Sequence, residues 1–197
     1  MTESSACTSL PVCAPLSRYE RNRPLALALF VERGFGQVSL REVAATLELT
    51  VGTFYHHCDC KQTLLFEFIE EHYLRLLDLF KQRSQGRRST SITLATVLEG
   101  LMQLYERDPH YFLLALRERH TLRDHDRLRI DALRGQLGGH LTQLLLADGI
   151  TDGKRVMVEP AIALFEQLPL WAPHCAPNPH CQLQLGQRLL AATLHTL

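Results

Sequence analysis

The sequence predicts an all-α protein, and three observations carry that expectation. Apolar residues recur at helical spacing along segment after segment, and no stretch alternates apolar and polar residues as a half-buried strand does. The breaks between segments carry helix stop signals: Asp108-Pro109 ends one helix and restarts another with proline near its first position, and Ala147-Asp148-Gly149 supplies a second stop. A chain of 197 residues can bury a substantial core, enough for a small N-terminal head followed by a larger domain.

Residues 1–17, with Pro11, Pro15 and several small polar residues, are expected to form a disordered arm. The arm lacks Lys and Arg and suits a DNA minor groove poorly. Residues 19–33 follow as a helix with Leu25, Ala26, Leu29 and Phe30 on one face, ended by Gly34.

Residues 39–61, SLREVAATLELTVGTFYHHCDCK, are the most informative stretch and read as two short helices joined by a tight turn. Ser39 can cap the amide of Glu42, and Glu42 can reach back to the amide of Ser39. Leu40, Val43, Ala44 and Leu47 then face inward, with Ala44 small where a crossing helix must come close. After a turn at Glu48 and Leu49, Thr50 can cap a second helix over 51–57. That helix turns Phe54 inward and leaves Val51, Gly52, Thr53, Tyr55 and His56 outside. Hydroxyls and imidazoles so placed can bond phosphates or base edges, and the Val51 or Thr53 methyls can meet a thymine methyl. Lys61 opens the next helix, where its ammonium and the free amides could hold a phosphate. A plain helical hairpin is the alternative that the pattern leaves open.

A long helix is expected from Lys61 to about residue 84, its stripe running through Leu64, Leu65, Phe68, Ile69, Leu76, Leu77 and Phe80 to the polar break SQGRRSTS. Helices over 90–107, 109–120, 124–147, 153–170 and 180–197 complete the chain. Residues 160–197 carry only Glu166 and Arg188 as formal charges amid many leucines, so the last two helices are expected to pack as a homodimer interface, with completion of the monomer core as the alternative.

Residues 23–65 resemble the DNA-binding segment of TetR-family repressors: an apolar helix ending at Gly34-Phe35, then SLREVA, then TVGTFYHHC, then Lys61 ahead of Leu64 and Leu65. The resemblance implies a three-helix head over 18–63 and a ligand-binding and dimerisation domain over 64–197. It implies phosphate contacts by Ser39, Arg41, Tyr55, His57 and Lys61, and base contacts by Thr50, Val51, Thr53 and His56. Its partner would be a palindromic double-stranded operator bound by a homodimer. Two residues depart from the family pattern. Glu48 stands where a turn glycine is usual, at a cost on the order of 1 kcal/mol if its φ is positive, and Cys58 stands where an aromatic is usual.

Residues 108–122, DPHYFLLALRERHTL, resemble a motif of the fatty-acid branch of that family, the FabR- and DesT-like repressors that sense acyl-coenzyme A. The effector so implied is an acyl-coenzyme A or fatty acid, acting as inducer or corepressor on lipid-metabolism genes, with no resident cofactor. Phe80, Leu101, Met102, Tyr105, Tyr111, Phe112, Leu113 and Leu116 would line an elongated apolar tunnel, with Phe165 and Trp171 also against the ligand. Arg117 and Arg119 would face anionic groups on the ligand or acidic partners near the head. An ordinary close-packed core is the competing reading of these apolar residues.

Formal charge is zero, and residues 18–61 hold six Lys or Arg against five Asp or Glu, which excludes an indiscriminate polyanion binder and predicts a shallow salt dependence. No apolar run approaches a membrane span and residues 1–16 do not read as a leader, so a cytoplasmic protein is expected, its six cysteines as thiols. Metal binding at His56, His57, Cys58, Asp59 and Cys60 is disfavoured, because the helix pair already assigns their directions. The repeated Pro-His-Cys that brings His174, Cys175, His180 and Cys181 into one loop leaves a zinc-, copper- or thiol-responsive regulator as the alternative function. An enzyme is disfavoured: no Gly-x-Ser-x-Gly, phosphate-cradling glycine loop or His-Glu-x-x-His occurs.

Overall fold

A computed structural model describes residues 17–81, 93–147 and 158–192. Helix α1 (Arg18–Arg33) opens with a reciprocal cap, Ser17 accepting from the Glu20 amide while the Glu20 carboxylate accepts from Ser17 N–H at 2.9 Å. It buries Tyr19, Asn22, Ala26, Leu27, Phe30 and Val31. Leu25, expected inward, is 55% exposed, because the stripe through Ala26 and Phe30 leaves the residue before Ala26 about 100° around the helix. Gly34 ends the helix at φ 82°, its N–H on Phe30 O, and Phe35–Gln37 make one 3-10 turn.

Helix α2 (Leu40–Thr46) carries the expected capping box between Ser39 and Glu42 and buries Val43 and Ala44. Glu48 does take a positive φ, 57°, in the turn that follows. Thr50 caps α3 (Val51–Tyr55) by accepting from the Thr53 amide at 3.0 Å. This helix is shorter than the expected 51–57, because the His56 and His57 amides turn back to Thr53 O and Phe54 O in a tighter, three-residue pattern. Asn22, buried on α1, donates to Leu47 O at 3.2 Å and ties α2 to α1.

Helix α4 (Lys61–Lys81) carries the whole expected stripe, joined by His72 and Tyr73. Then come α5 (Leu94–Arg107), capped by Thr93; α6 (Pro109–Glu118), with its proline in the first turn; a 3-10 turn at Arg119–Thr121; α7 (Asp124–Ala147); α8 (Val158–Cys175); and α9 (Pro179–Ala192). The described residues contain no strand. Helix α8 runs past its expected end near residue 170, through Pro169 and Pro173, because Phe165, Leu168 and Ala172 are buried along it and offset the lost backbone bonds. Of the expected arm over 1–17, Ser17 belongs to the cap of α1 and residues 1–16 lie outside the described residues, as do the break over 84–91, the stop at Asp148-Gly149 and residues 193–197.

Helix α4 is the axis. It packs against α5, α6 and α7, while α6 also packs on α1, and α7, α8 and α9 succeed one another in contact. Gly138 and Gly186 set the closest approaches: a Cβ at Gly138 would lie 2.7 Å from Ile162 Cδ1, and one at Gly186 2.8 Å from Leu168 Cδ2.

Replacing Glu48 by Gly relieves the left-handed backbone at that turn. The variant is expected to be more stable by about 0.5–1 kcal/mol, read as a higher urea midpoint at unchanged slope. A lower midpoint would show that the turn does not carry the strain assigned to it.

Candidate nucleic-acid interface and effector cavity

The outward face of the two-helix unit is built around one buried side chain. Phe54 is fully buried and pins α3 against the head, so Gly52, Tyr55 and His56 point to solvent, with Tyr55 52% exposed. Thr50 is exposed, and Val51 and Thr53 are half-buried beside it; the two threonine hydroxyls lie 2.8 Å apart and share a hydrogen bond. Ser39 and Arg41 are exposed at the start of α2. The Glu42 carboxyl is held down to about 2 by hydrogen bonds from Ser39 and then by Arg33, 2.5 Å away, so the capping box stays ionised. His57 is exposed, and its ring stacks flat on Tyr19 at 4.6 Å between centroids, which fixes the imidazole at the edge of this face.

Lys61 requires a correction. Its ammonium turns inward, donating to Phe35 O at 2.7 Å and Val38 O at 2.5 Å above the Phe35 ring at 4.1 Å. Burial lowers its pKa. The Phe35 and Val38 carbonyls of the turn after α1 claim the charge, so only the backbone amides of α4 remain as the expected phosphate anchor here. Cys58 is buried in the hinge before α4, burial pushing its thiol up to about 11.

The 108–122 segment does something the sequence did not announce: it docks the head. Arg117 Nη1 donates to Val31 O at 3.2 Å, and Glu118 Oε1 accepts from Phe35 N–H at 3.1 Å. Gln62 donates to Thr121 O at 3.2 Å, and Arg123 Nη2 reaches Cys60 Sγ at 2.8 Å. Burial raises the Cys60 pKa, but hydrogen bonds from Thr63, Gln62 and Arg123 outweigh it and leave the thiol below its ordinary value. Further along α4, Arg75 pairs with Glu71 at 2.6 Å and Asp108 at 2.9 Å, its guanidinium 4.1 Å above the Tyr111 ring.

The expected apolar tunnel is not an open space. Phe80, Leu101 and Phe165 are close-packed core, with Phe80 and Phe165 rings 6.0 Å apart; Tyr105, Leu113 and Trp171 pack half-buried against it. Met102 lies in a separate groove between α5 and α9, and Arg117 is spent on Val31 O. What exists instead is a cavity of about 110 Å³ between α4, α6, α7 and α8. Phe112, Leu116 and Arg119 line it as expected near a ligand, together with His72, Tyr73, Ala115, Arg134, Ala163, Glu166 and Gln167. Apart from Arg119, the polar members were hidden in the sequence because they come from three helices, α4, α7 and α8, and only packing converges them.

His174 and Cys175 end α8, while His180 and Cys181 open α9 with His180 Nε2 2.8 Å from Gln184 Nε2. Helix α8 absorbs half of the expected loop, and among the described residues no three His, Cys, Asp or Glu are grouped to hold a metal.

Residues 25–68 match the family model of bacterial regulatory proteins of the tetR family. Solved structures share the fold along the chain. A tetR-family regulatory protein from Rhodococcus RHA1 is 18% identical with a TM-score of 0.73, covering 93% of this chain and 100% of its own. AibR, in complex with isovaleryl coenzyme A and operator DNA, is 21% identical with a TM-score of 0.63, covering 92% and 100%. The fatty acid degradation regulator FadR from Bacillus halodurans is 14% identical with a TM-score of 0.65, covering 94% and 98%.

His72 offers a test of the cavity floor. Burial, then the charge of Arg75, depresses its pKa from 6.5 to about 3, so the unfolded chain takes up a proton that the fold refuses. Stability is therefore full above pH 6.5 and lost as pH falls towards 3. In His72→Phe the fall in unfolding free energy between pH 6.5 and 5, followed by urea titration, is expected to be shallower than in the parent; equal slopes would remove His72 from that role.

Proposed function

We propose that this TetR-type transcriptional regulator is a homodimeric repressor that binds a palindromic operator and is controlled by a small acyl ligand. The observation that carries the reading is the α3 face: Thr53, Tyr55 and His56 stand outward on a capped helix pinned by Phe54, within the segment that matches the family model. Ser39, Arg41 and His57 flank that face as phosphate contacts, and Thr50, Val51, Thr53 and His56 approach bases.

The dimer forms through α8 and α9. Leu164, Leu170, Trp171 and Leu183 remain only partly covered within one chain, on helices with few charges. Two-fold symmetry then sets the recognition helices roughly 34 to 36 Å apart, one turn of DNA. No helix among the described residues is long and apolar enough to cross a membrane; a cytoplasmic site of action follows from the proposed transcriptional role.

An acyl-coenzyme A or fatty acid as effector, with lipid-metabolism genes as targets, draws support from the DPHYFLLALRERHTL motif and from the isovaleryl coenzyme A bound to AibR. The cavity favours the short end of that class. A thiol-responsive regulator is the second reading, favoured by Cys60 with Arg123 2.8 Å from its sulfur at the joint between head and body.

Fluorescence anisotropy on a palindromic fragment from the upstream region of the coding sequence tests the reading. Tyr55→Phe removes one hydroxyl from the exposed face and is expected to weaken binding roughly tenfold with unchanged thermal stability. Affinity should fall gently with salt, since the six Lys or Arg of residues 18–61 are nearly balanced by five Asp or Glu. Binding with no sequence preference, or a Tyr55→Phe protein that binds as the parent does, would count against it.

A further inference from the structure

We propose that the cavity between α4, α6, α7 and α8 binds a short-chain monocarboxylate, its carboxylate on Arg119 and its apolar body against Phe112, Ala115, Leu116 and Ala163. The inference rests on the effector-controlled reading above and narrows the ligand.

Charge decides the head group. Arg134 Nε and Nη2 donate to the two oxygens of Glu166 at 2.8 and 3.2 Å, and Nη1 donates to Glu159 at 3.2 Å, so all three nitrogens are engaged and the guanidinium, shared by two carboxylates, is committed to them rather than to a ligand. Arg119 is different. Among the described residues its side chain makes no hydrogen bond, and its ion-pair contact, Asp131, is 3.8 Å away, beyond hydrogen-bonding reach. Its side chain is 36% exposed, which places the guanidinium at the mouth with its donors available. A carboxylate fits that fork in a bidentate manner.

The lining limits the ligand to one anionic group. His72 at the floor is kept neutral by burial, and Glu166 repels a second carboxylate. Size limits the body. A dry cavity of about 150 Å³ takes the six carbons of a benzene ring, so about 110 Å³ takes a group of about four carbon atoms. A long fatty chain has no space beyond that, because Phe80, Leu101 and Phe165 fill the neighbouring core.

Isothermal titration of the full-length protein with 3-methylbutanoate, its neutral amide, succinate and dodecanoate tests the assignment. The short acid is expected to bind roughly tenfold or more tighter than the amide, since it alone forms the charge-assisted pair, and both succinate and dodecanoate should bind more weakly still. Arg119→Gln should bind acid and amide alike, and Ala163→Leu should bind neither. Failure of the short acid to bind, equal affinity of acid and amide in the parent, dodecanoate or succinate binding as tightly, or an Arg119→Gln protein that keeps the preference would each overturn the proposal. Operator binding of the ligand-free protein is measured separately. Its failure would sink the regulator reading and leave the titration standing, whereas an operator complex that the bound acid leaves unchanged would overturn the acid as effector.

Discussion

The end of the first helix is the constraint on which the rest depends. An α-helix leaves its last carbonyls without intrahelical partners, and Gly34 and the following 3-10 turn add more exposed backbone at the same place. Side chains from elsewhere meet that demand: Lys61 bonds Phe35 O and Val38 O, Arg117 bonds Val31 O, and Glu118 takes the Phe35 amide. Each buried group left unpaired would cost about 1–3 kcal/mol, so the head is held to the body by a set of bonds that neither can forgo cheaply. The departures in the neighbouring hinge become tolerable for the same reason. Cys58 fills less volume than an aromatic, yet Lys61 and Gln62 fix the start of α4 from the other side.

These commitments show what a chain of zero formal charge does with its cations. Arg23 pairs with Glu67 and Glu71, Arg75 with Glu71 and Asp108, Arg134 with Glu159 and Glu166, and Lys61 faces carbonyls. Cations that would have enlarged a non-specific attraction are used to join helices. On the operator-binding reading proposed above, affinity has to come from hydroxyls, the Tyr55 phenol, amides at helix starts and the doubling that a dimer would provide, and it would depend on the spacing of two heads rather than on bulk potential.

The fold was legible wherever one residue type has one local meaning. Ser39 with Glu42, Thr50 before Val51, Gly34 after Arg33 and the stripe from Leu64 to Phe80 all behave as their spacing says, since caps and periodic burial are decided within a few residues. Apart from the facing of Leu25 and the early end of α3, what failed depended on partners distant in sequence. Nothing local shows that Lys61 turns inward, because the carbonyls it bonds lie 26 and 23 residues earlier. Nor do the apolar residues of 101–116 reveal whether they enclose space or fill it; that is settled by α7 and α8, which also bring in Arg134 and Glu166. Pro173 looked like a loop residue because proline costs a helix a hydrogen bond, but burial of Phe165, Leu168 and Ala172 outweighs the loss.

Cavity and joint share one helix. On α6, Phe112, Ala115 and Leu116 line the cavity, and the next two residues, Arg117 and Glu118, hold the end of α1. A shift of α6 that opens or closes the cavity moves groups one residue away that must stay within hydrogen-bonding distance of Val31 and Phe35. The coupling needs no long pathway. A ligand that prefers one position of α6 by about 1.4 kcal/mol changes the balance of head positions tenfold, and one hydrogen bond of the joint is of that same order. A ligand of modest size is therefore sufficient to bias the head, provided that it contacts α6 differently in the two arrangements. Arg119, following directly on Glu118 and at the mouth of the cavity, is placed to make that difference.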